Sequence, residues 1–179
     1  MNIPNLNYSN RGMMLEELIN KANKTYQVRG LAVVLKIPTS WKVLWKNYGG
    51  YRKPINAFPE QKSWLDYIGV INGEPVTFDA KETKNKTSFP LNNIKEHQIM
   101  DMKVWNSCGG KSFLIIWFKI QNEFYLLPYE VLIAAWYESK KGGRKSIPHK
   151  TIKEKSITIN SGNNVFLDWL TAYKTYRGV

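Results

Sequence analysis

Apolar positions recur along this chain with two different periods. Leu15, Leu18, Ile19, Ala22 and Tyr26 fall at helical spacing and form one face of a helix that Ser9 or Asn10 can cap and that runs to about Val28, with Gly30 as its stop. "LAVVLKI" (31–37) reads as a strand ended by Pro38, and residues 64–83 read as a hairpin. "FPLNNIKEHQIMDMKVWNSCGG" (89–110) reads as a helix with Leu91, Ile94, Ile99 and Met102 inward, ending at Gly109-Gly110. "KSFLIIWFKI" and "EFYLLP" are strands around a Gln121-Asn122 turn. "PYEVLIAAWYESKK" is a helix stopped by Gly142-Gly143, "GRKSIPHKTIKEK" a basic loop, "SITI" a short strand and "NVFLDWLTAYKTY" a closing helix. The order predicts a mixed α/β fold, a central β-sheet flanked by helices.

Two segments stand outside these periods. Residues 1–8 are polar and read as a flexible arm. Residues 39–63, "TSWKVLWKNYGGYRKPINAFPEQKS", show no clean period and exceed an ordinary connection, so they form an excursion with a task of its own. The 179 residues otherwise suit one domain.

The hairpin holds the candidate chemistry. Asn72-Gly73 is a strong two-residue turn signal. It sets Ile71 against Glu74, and the ladder then carries outward to oppose Tyr67 to Phe78 and Asp66 to Asp79. Two carboxylates directly opposed on one face are destabilising. A raised pKa on one of them, a nearby cation, or a hard divalent metal ion would offset the repulsion. Lys81 lies two residues past Asp79 and shares its face, while Phe78 and Ala80 point the other way. The same three residues could close as a plain salt bridge at a sheet edge. Alternatively, two acids and a lysine beside a divalent cation can hydrolyse a phosphodiester.

Charge narrows the choice. Twenty-six Lys and Arg against fourteen Asp and Glu leave a net charge of +12, which points to a polyanion, nucleic acid first. Cys108 is the only cysteine, which excludes an intrachain disulfide, and His97 and His149 are too few for a histidine-rich metal cluster. The longest apolar run, "FLIIWF", is too short to cross a bilayer, and a soluble cytosolic protein is expected.

The spacing of Asp66 from Asp79-Ala80-Lys81 resembles the PD-(D/E)xK nuclease superfamily, with Leu65 where that motif has proline. "YSNRGMMLEELIN", "AKETKNKTSFPL", "EHQI" and "GRKSI" together resemble the RecU family of Holliday junction resolvases, from about Tyr8 to Ile157. The resemblance implies a restriction-endonuclease-like fold with a protruding stalk at residues 39–63. It implies a homodimeric, Mg²⁺-dependent endonuclease, with Mn²⁺ able to substitute, that nicks four-way junctions symmetrically. Recombinase or branch-migration proteins are further candidate partners. Matching positions give Asp66, Asp79, Lys81, Glu16 and Gln98 as catalytic residues, and Asp66, Asp79 and the Ala80 carbonyl as metal ligands. Position 79 departs from the family in carrying Asp for Glu.

Candidate DNA contacts are Thr83, Lys84, Asn85, Lys86 and Thr87, which leave the catalytic strand directly, with Arg11, Arg144 and Lys145. In the excursion, Lys42, Lys46, Arg52 and Lys53 would line a junction's opening, with Gly49-Gly50 at the tip, and its Trp and Tyr residues could stack on unpaired bases. The rival readings are a junction binder without catalysis and a nuclease of the same superfamily acting on other DNA.

Overall fold

The computed structural model describes residues 13–38, 41–59 and 64–178. Its centre is a six-stranded sheet built from β1 (Val33–Lys36), β4 (Tyr67–Ile71), β5 (Glu74–Thr83), β7 (Lys111–Phe118), β8 (Glu123–Pro128) and β10 (Ile157–Ile159), side by side in that order. Only β5 and β7 run parallel; the other neighbours are antiparallel. The connection between β5 and β7 carries α2 (Glu96–Ser107), as a parallel crossover requires. The expected mixed sheet flanked by helices is therefore present.

Each face of the sheet has its own core. On one side α1 (Met13–Val28) and α5 (Trp169–Arg177) cover Tyr67, Phe78, Phe113 and Ile115. Tyr67, Phe78 and Phe113 stack in sequence, with ring centroids 4.8 Å apart at each step. On the other side α2, α3 (Tyr129–Lys140) and α4 (His149–Lys155) bury Leu114, Ile116 and Leu127. Because β7 is covered on both faces, it reads as an unbroken apolar run rather than an alternation.

The helix face of α1 is as expected: Leu15, Ile19, Ala22 and Tyr26 are buried and Leu18 is partly so. Its proposed cap at Ser9 or Asn10 lies outside the described residues, as do Arg11 and the arm. Four expectations need correction. Residues 89–110 are not one helix. Pro90 ends a short strand, β6 (Ser88–Pro90), Leu91–Asn93 form a 3-10 turn, and α2 starts only after Lys95. Leu91 and Ile94 are buried, but from that turn and its exit. The basic loop at 144–156 is also structured, as β9 (Ser146–Pro148), which pairs with β6, followed by α4. The closing helix begins late, where Asp168 accepts the Thr171 N–H at 3.3 Å and caps α5. Finally, the chain reverses between β7 and β8 over residues 119–122 rather than at Gln121-Asn122 alone.

The excursion is a two-stranded ribbon, β2 (Trp41–Tyr48) with β3 (Tyr51–Pro59). Gly49 and Gly50 form its turn with φ of +52° and +90°, the conformation a two-residue hairpin turn needs. A bulge between Leu44 and Trp45 shifts the register midway. Its described side chains are exposed throughout, Val43, Leu44, Trp45, Tyr48, Tyr51 and Ile55 included. No helix among the described residues is long and apolar enough to cross a membrane.

Candidate active site

The β4–β5 ladder has the register that the Asn72-Gly73 turn dictates. Both turn residues have positive φ, +48° and +81°, and the pairs run from Ile71 with Glu74 to Tyr67 with Phe78. Asp66 is the residue just before β4, outside the ladder, whose last pair is Tyr67 with Phe78, so the expected strand pairing of Asp66 with Asp79 is replaced by a side-chain contact. The Asp66 carboxylate accepts the Ala80 backbone N–H at 3.1 Å, which ties the chain entering β4 to β5.

Asp79 is completely buried, on the face that β5 shares with Leu114 of β7. Its Oδ2 takes two donors, the Lys81 ammonium at 2.8 Å and the Gln98 Nε2. Gln98 is the third residue of α2, and its own Oε1 accepts the Lys95 N–H at 3.1 Å. The helix start therefore fixes which end of the amide faces Asp79. Asp79 Oδ1 is buried with no hydrogen-bond partner. Burial pushes the Asp79 carboxyl well above its usual range; contact with Asp66 adds to the rise and the Lys81 charge opposes it. Two of the three expected offsets are thus present, a carboxyl pushed upward by its burial and a lysine that partly compensates.

Glu16 approaches from the other layer. It sits in the first turn of α1 and lines, with Asp66, Lys36, Ile37, Pro38, Trp64 and Leu65, a cleft of about 340 Å³. In that cleft Glu16 is paired with Lys36 of β1. Tyr67 holds the arrangement from below: it is buried, and its hydroxyl donates to the Glu16 backbone carbonyl at 3.3 Å. Its own pKa is raised, by burial first and then by the charges of Glu16, Asp66 and Asp79. Asp66, Asp79, Lys81 and Gln98 thus form one cluster, and Glu16 stands at its open side.

Lys36 and Tyr67 are the residues that sequence reading passed over. Lys36 lies in a short strand and Tyr67 in the hairpin ladder, and nothing in their spacing marks a contact with Glu16. Among the described residues no three His, Cys, Asp or Glu side chains gather closely enough to hold a metal ion. A cation here would rest on Asp66 and Asp79, and the orphaned Asp79 Oδ1 fits one. A hard ion such as Mg²⁺ needs few protein oxygens, because it keeps several of its waters.

The proposed DNA contacts divide. Lys84, Asn85, Lys86 and Thr87 are exposed on the loop leaving β5. Thr83 is turned inward, 7% exposed, and its hydroxyl accepts the Asn85 N–H at 3.0 Å, so it shapes the loop instead of facing solvent. Arg144 and Lys145 are exposed just before β9. Lys42, Lys46, Arg52 and Lys53 are exposed on the ribbon, with Lys46 and Lys53 directly opposed across it.

Residues 10–175 match the family model RecU, "Recombination protein U". The chain belongs to the RecU family. Among its relatives is the Holliday junction resolvase RecU of Oenococcus oeni, 43% identical over 172 residues, which cover 95% of this chain and 87% of the relative. The Holliday junction resolvase RecU of Geobacillus thermodenitrificans is 43% identical over 166 residues, 92% of this chain and 83% of that one. Among solved structures, Archaeoglobus fulgidus Hjc, a Holliday junction resolvase, aligns over 67% of this chain and 74% of its own at 6% identity and a TM-score of 0.40, too loose a likeness to build on. The family is the one that the motifs resemble.

Proposed function

We propose that this RecU-family chain is an endodeoxyribonuclease that resolves four-way DNA junctions by paired nicks, with Asp66, Asp79 and Lys81 at its catalytic centre. One observation carries the proposal: a wholly buried Asp79 with an unpartnered carboxylate oxygen, set against Asp66 and bonded to Lys81, in a chain of net charge +12. A carboxylate buried in this way is costly unless something answers it. Asp66 and Asp79, with the Ala80 carbonyl as a third oxygen, would hold Mg²⁺, or Mn²⁺ in its place. When bound, such an ion supplies Lewis-acid polarisation of a phosphoryl oxygen and a lowered pKa for an attacking water.

The chain's own residues do the rest. The Lys81 ammonium, held by Asp79, has two further N–H groups to offer a phosphoryl oxygen where negative charge grows in the transition state. Gln98 keeps Asp79 Oδ2 from rotating, because its own amide is fixed at the start of α2. Glu16 supplies a carboxylate at the open side of the centre, with Lys36 balancing its charge in the absence of DNA. Asp at position 79, one methylene shorter than the family's Glu, suits a carboxylate drawn close to β5 by Lys81 and Gln98.

Substrate choice needs shape, since phosphates alone are offered by any duplex. The exposed ribbon at 41–59, with Lys46 opposed to Lys53 and exposed Trp45, Tyr48 and Tyr51, would enter the junction's opening. Two nicks at related positions suit a two-fold dimer with two identical centres.

The test is cleavage of a labelled four-way junction and a linear duplex, each with and without Mg²⁺, by the unaltered chain and by Asp66→Asn. Cation-dependent paired cuts in the junction, lost in the variant, are expected. Equal cutting of the linear duplex would overturn the substrate, and undiminished cutting by Asp66→Asn would overturn the site.

A further inference from the structure

We infer that α4 and the loop following β5 form one continuous phosphate-binding surface that holds the duplex arm beside the cut. This rests on the nuclease reading above and adds where an arm of the substrate lies. In sequence the two segments are about sixty residues apart, and the fold ties them together at three points. The His149 N–H donates to the Thr87 carbonyl at 2.9 Å. The Gln121 side chain donates to the Lys86 carbonyl at 2.5 Å. Ser88 pairs with Pro148 in the β6–β9 ladder. So α4 starts where the loop from the catalytic strand ends.

The surface is basic along its length. Lys84 and Lys86 are exposed on the loop, and α4 presents Lys150, Lys153 and Lys155 to solvent while buried Ile152 anchors it. Lys150 and Lys153 are three residues apart, on one face of the helix. Their side chains are 88% and 65% exposed, and their nearest carboxylates are distant: Glu154 at 4.0 Å and Glu123 at 3.9 Å. Glu123 is held through its Oε2 by the Tyr125 hydroxyl at 2.7 Å and His149 at 2.8 Å, which keeps the Oε1 facing Lys153 at 3.9 Å. Exposed pairs this long hold almost nothing, so both ammonium groups are available to a phosphate. Lys119 and Lys140 differ, with carboxylates at 3.0 Å and 3.1 Å.

Distance fits the same role. Thr83 is four residues along β5 from Asp79, roughly 13 Å at the rise of a strand. One DNA strand carries a phosphate every ~3.4 Å of helix axis. The loop therefore meets phosphates about four nucleotides from the scissile one, and α4 those beyond it.

The test compares Lys150→Ala/Lys153→Ala with Lys21→Ala/Lys24→Ala. The control pair is equally spaced and exposed, on α1 across the sheet. Binding to a four-way junction is measured across a salt series, with arms long enough to reach α4 and with arms cut to about four base pairs. The α4 variant should bind the long-armed junction roughly tenfold more weakly, with a salt slope lower by about 1.8, the value for two lost contacts. The difference should vanish with short arms and be absent in Lys150→Arg/Lys153→Arg. The α1 control should bind and cleave the junction as the unaltered chain does. Equal losses in the α1 control would reduce the effect to net charge and overturn the inference, as would an unchanged slope or a loss that persists with short arms. Failure of the unaltered chain to cleave junctions would instead reject the nuclease reading, whatever the binding series shows.

Discussion

The chain contains two hairpins with the same kind of turn and opposite surroundings. β2–β3 turns at Gly49-Gly50 and β4–β5 at Asn72-Gly73, each through two residues of positive φ. Each brings like charges together: Lys46 faces Lys53 in the ribbon, and Asp66, just before β4, contacts Asp79 of β5. The ribbon's charges are exposed, so water and salt screen them and the hairpin tolerates them at small cost. Asp79 is shut away from water, so its charge perturbs its own pKa and draws in Lys81 and Gln98. One local motif thus gives a solvated appendage that a polyanion can engage or a strained centre that a cation can relieve. Burial decides which.

The largest expected effect breaks the buried hairpin's chemistry. Asp66→Asn and Lys81→Ala should each lower junction nicking by about a thousandfold or more, by removal of a group that acts in the transition state. Junction affinity, read by mobility shift, should be kept or rise for Asp66→Asn, which removes a negative charge facing phosphates. A nicking rate within tenfold of the unaltered chain would show that the hairpin is not the site.

Removing the ribbon tests the other side of the comparison. Replacement of residues 43 to 60 by a short Gly-Ser loop should leave the sheet folded and weak duplex binding intact. Preference for junction over duplex, measured by competition, should fall by about a hundredfold, since charge without shape does not select a junction. Retained preference would move selectivity to the spacing of two active sites in a dimer.

Glycine substitutions separate the hairpins by stability. A Cβ at Gly69 would lie 2.2 Å from the Val33 carbonyl oxygen and 2.7 Å from the Val34 Cα, where β4 passes β1. Gly69→Ala should cost about 2 kcal/mol of global stability, as overpacking does. At Gly49 a Cβ meets open space, and only the φ of +52° opposes it. Gly49→Ala should loosen the ribbon's tip without moving the main thermal transition. Equal shifts in both variants would show that ribbon and sheet unfold as one unit.

The smallest effect concerns pH. The Asp79 carboxyl is raised in the fold above its ordinary value of 3.8. The folded state therefore holds the proton more tightly than the unfolded chain, and stability declines as pH rises from about 4 through the raised value. Without divalent cation, Asp79→Asn should be more stable than the unaltered chain at neutral pH, because it removes the charge that burial disfavours. The two should converge below pH 4. A variant less stable at every pH would mean that Lys81 and Gln98 more than offset the burial.

By itself the sequence determined what is local or periodic. The Asn72-Gly73 turn and a side-chain period of two fixed the β4–β5 register, and with it Asp79 and Lys81 on one face of β5. The helix face of α1 and the unbroken apolar run of β7 were legible for the same reason, because each is written in the spacing of its own residues. The ribbon's strands were not legible, since a ribbon exposed on both sides needs no alternation and its bulge breaks what periodicity remains. The α2 boundary was misplaced because Leu91 and Ile94 are buried by neighbouring layers, not by a helix of their own. The strand β9 exists only because β6 lies beside it, and α4 is a short helix of about two turns held by Ile152. Only the tertiary structure brought Lys36 of β1 to Glu16 of α1, set Tyr67 beneath them, and joined α4 to the loop after β5. Those contacts link segments far apart in the chain, and they depend on how the layers pack rather than on any spacing within one element.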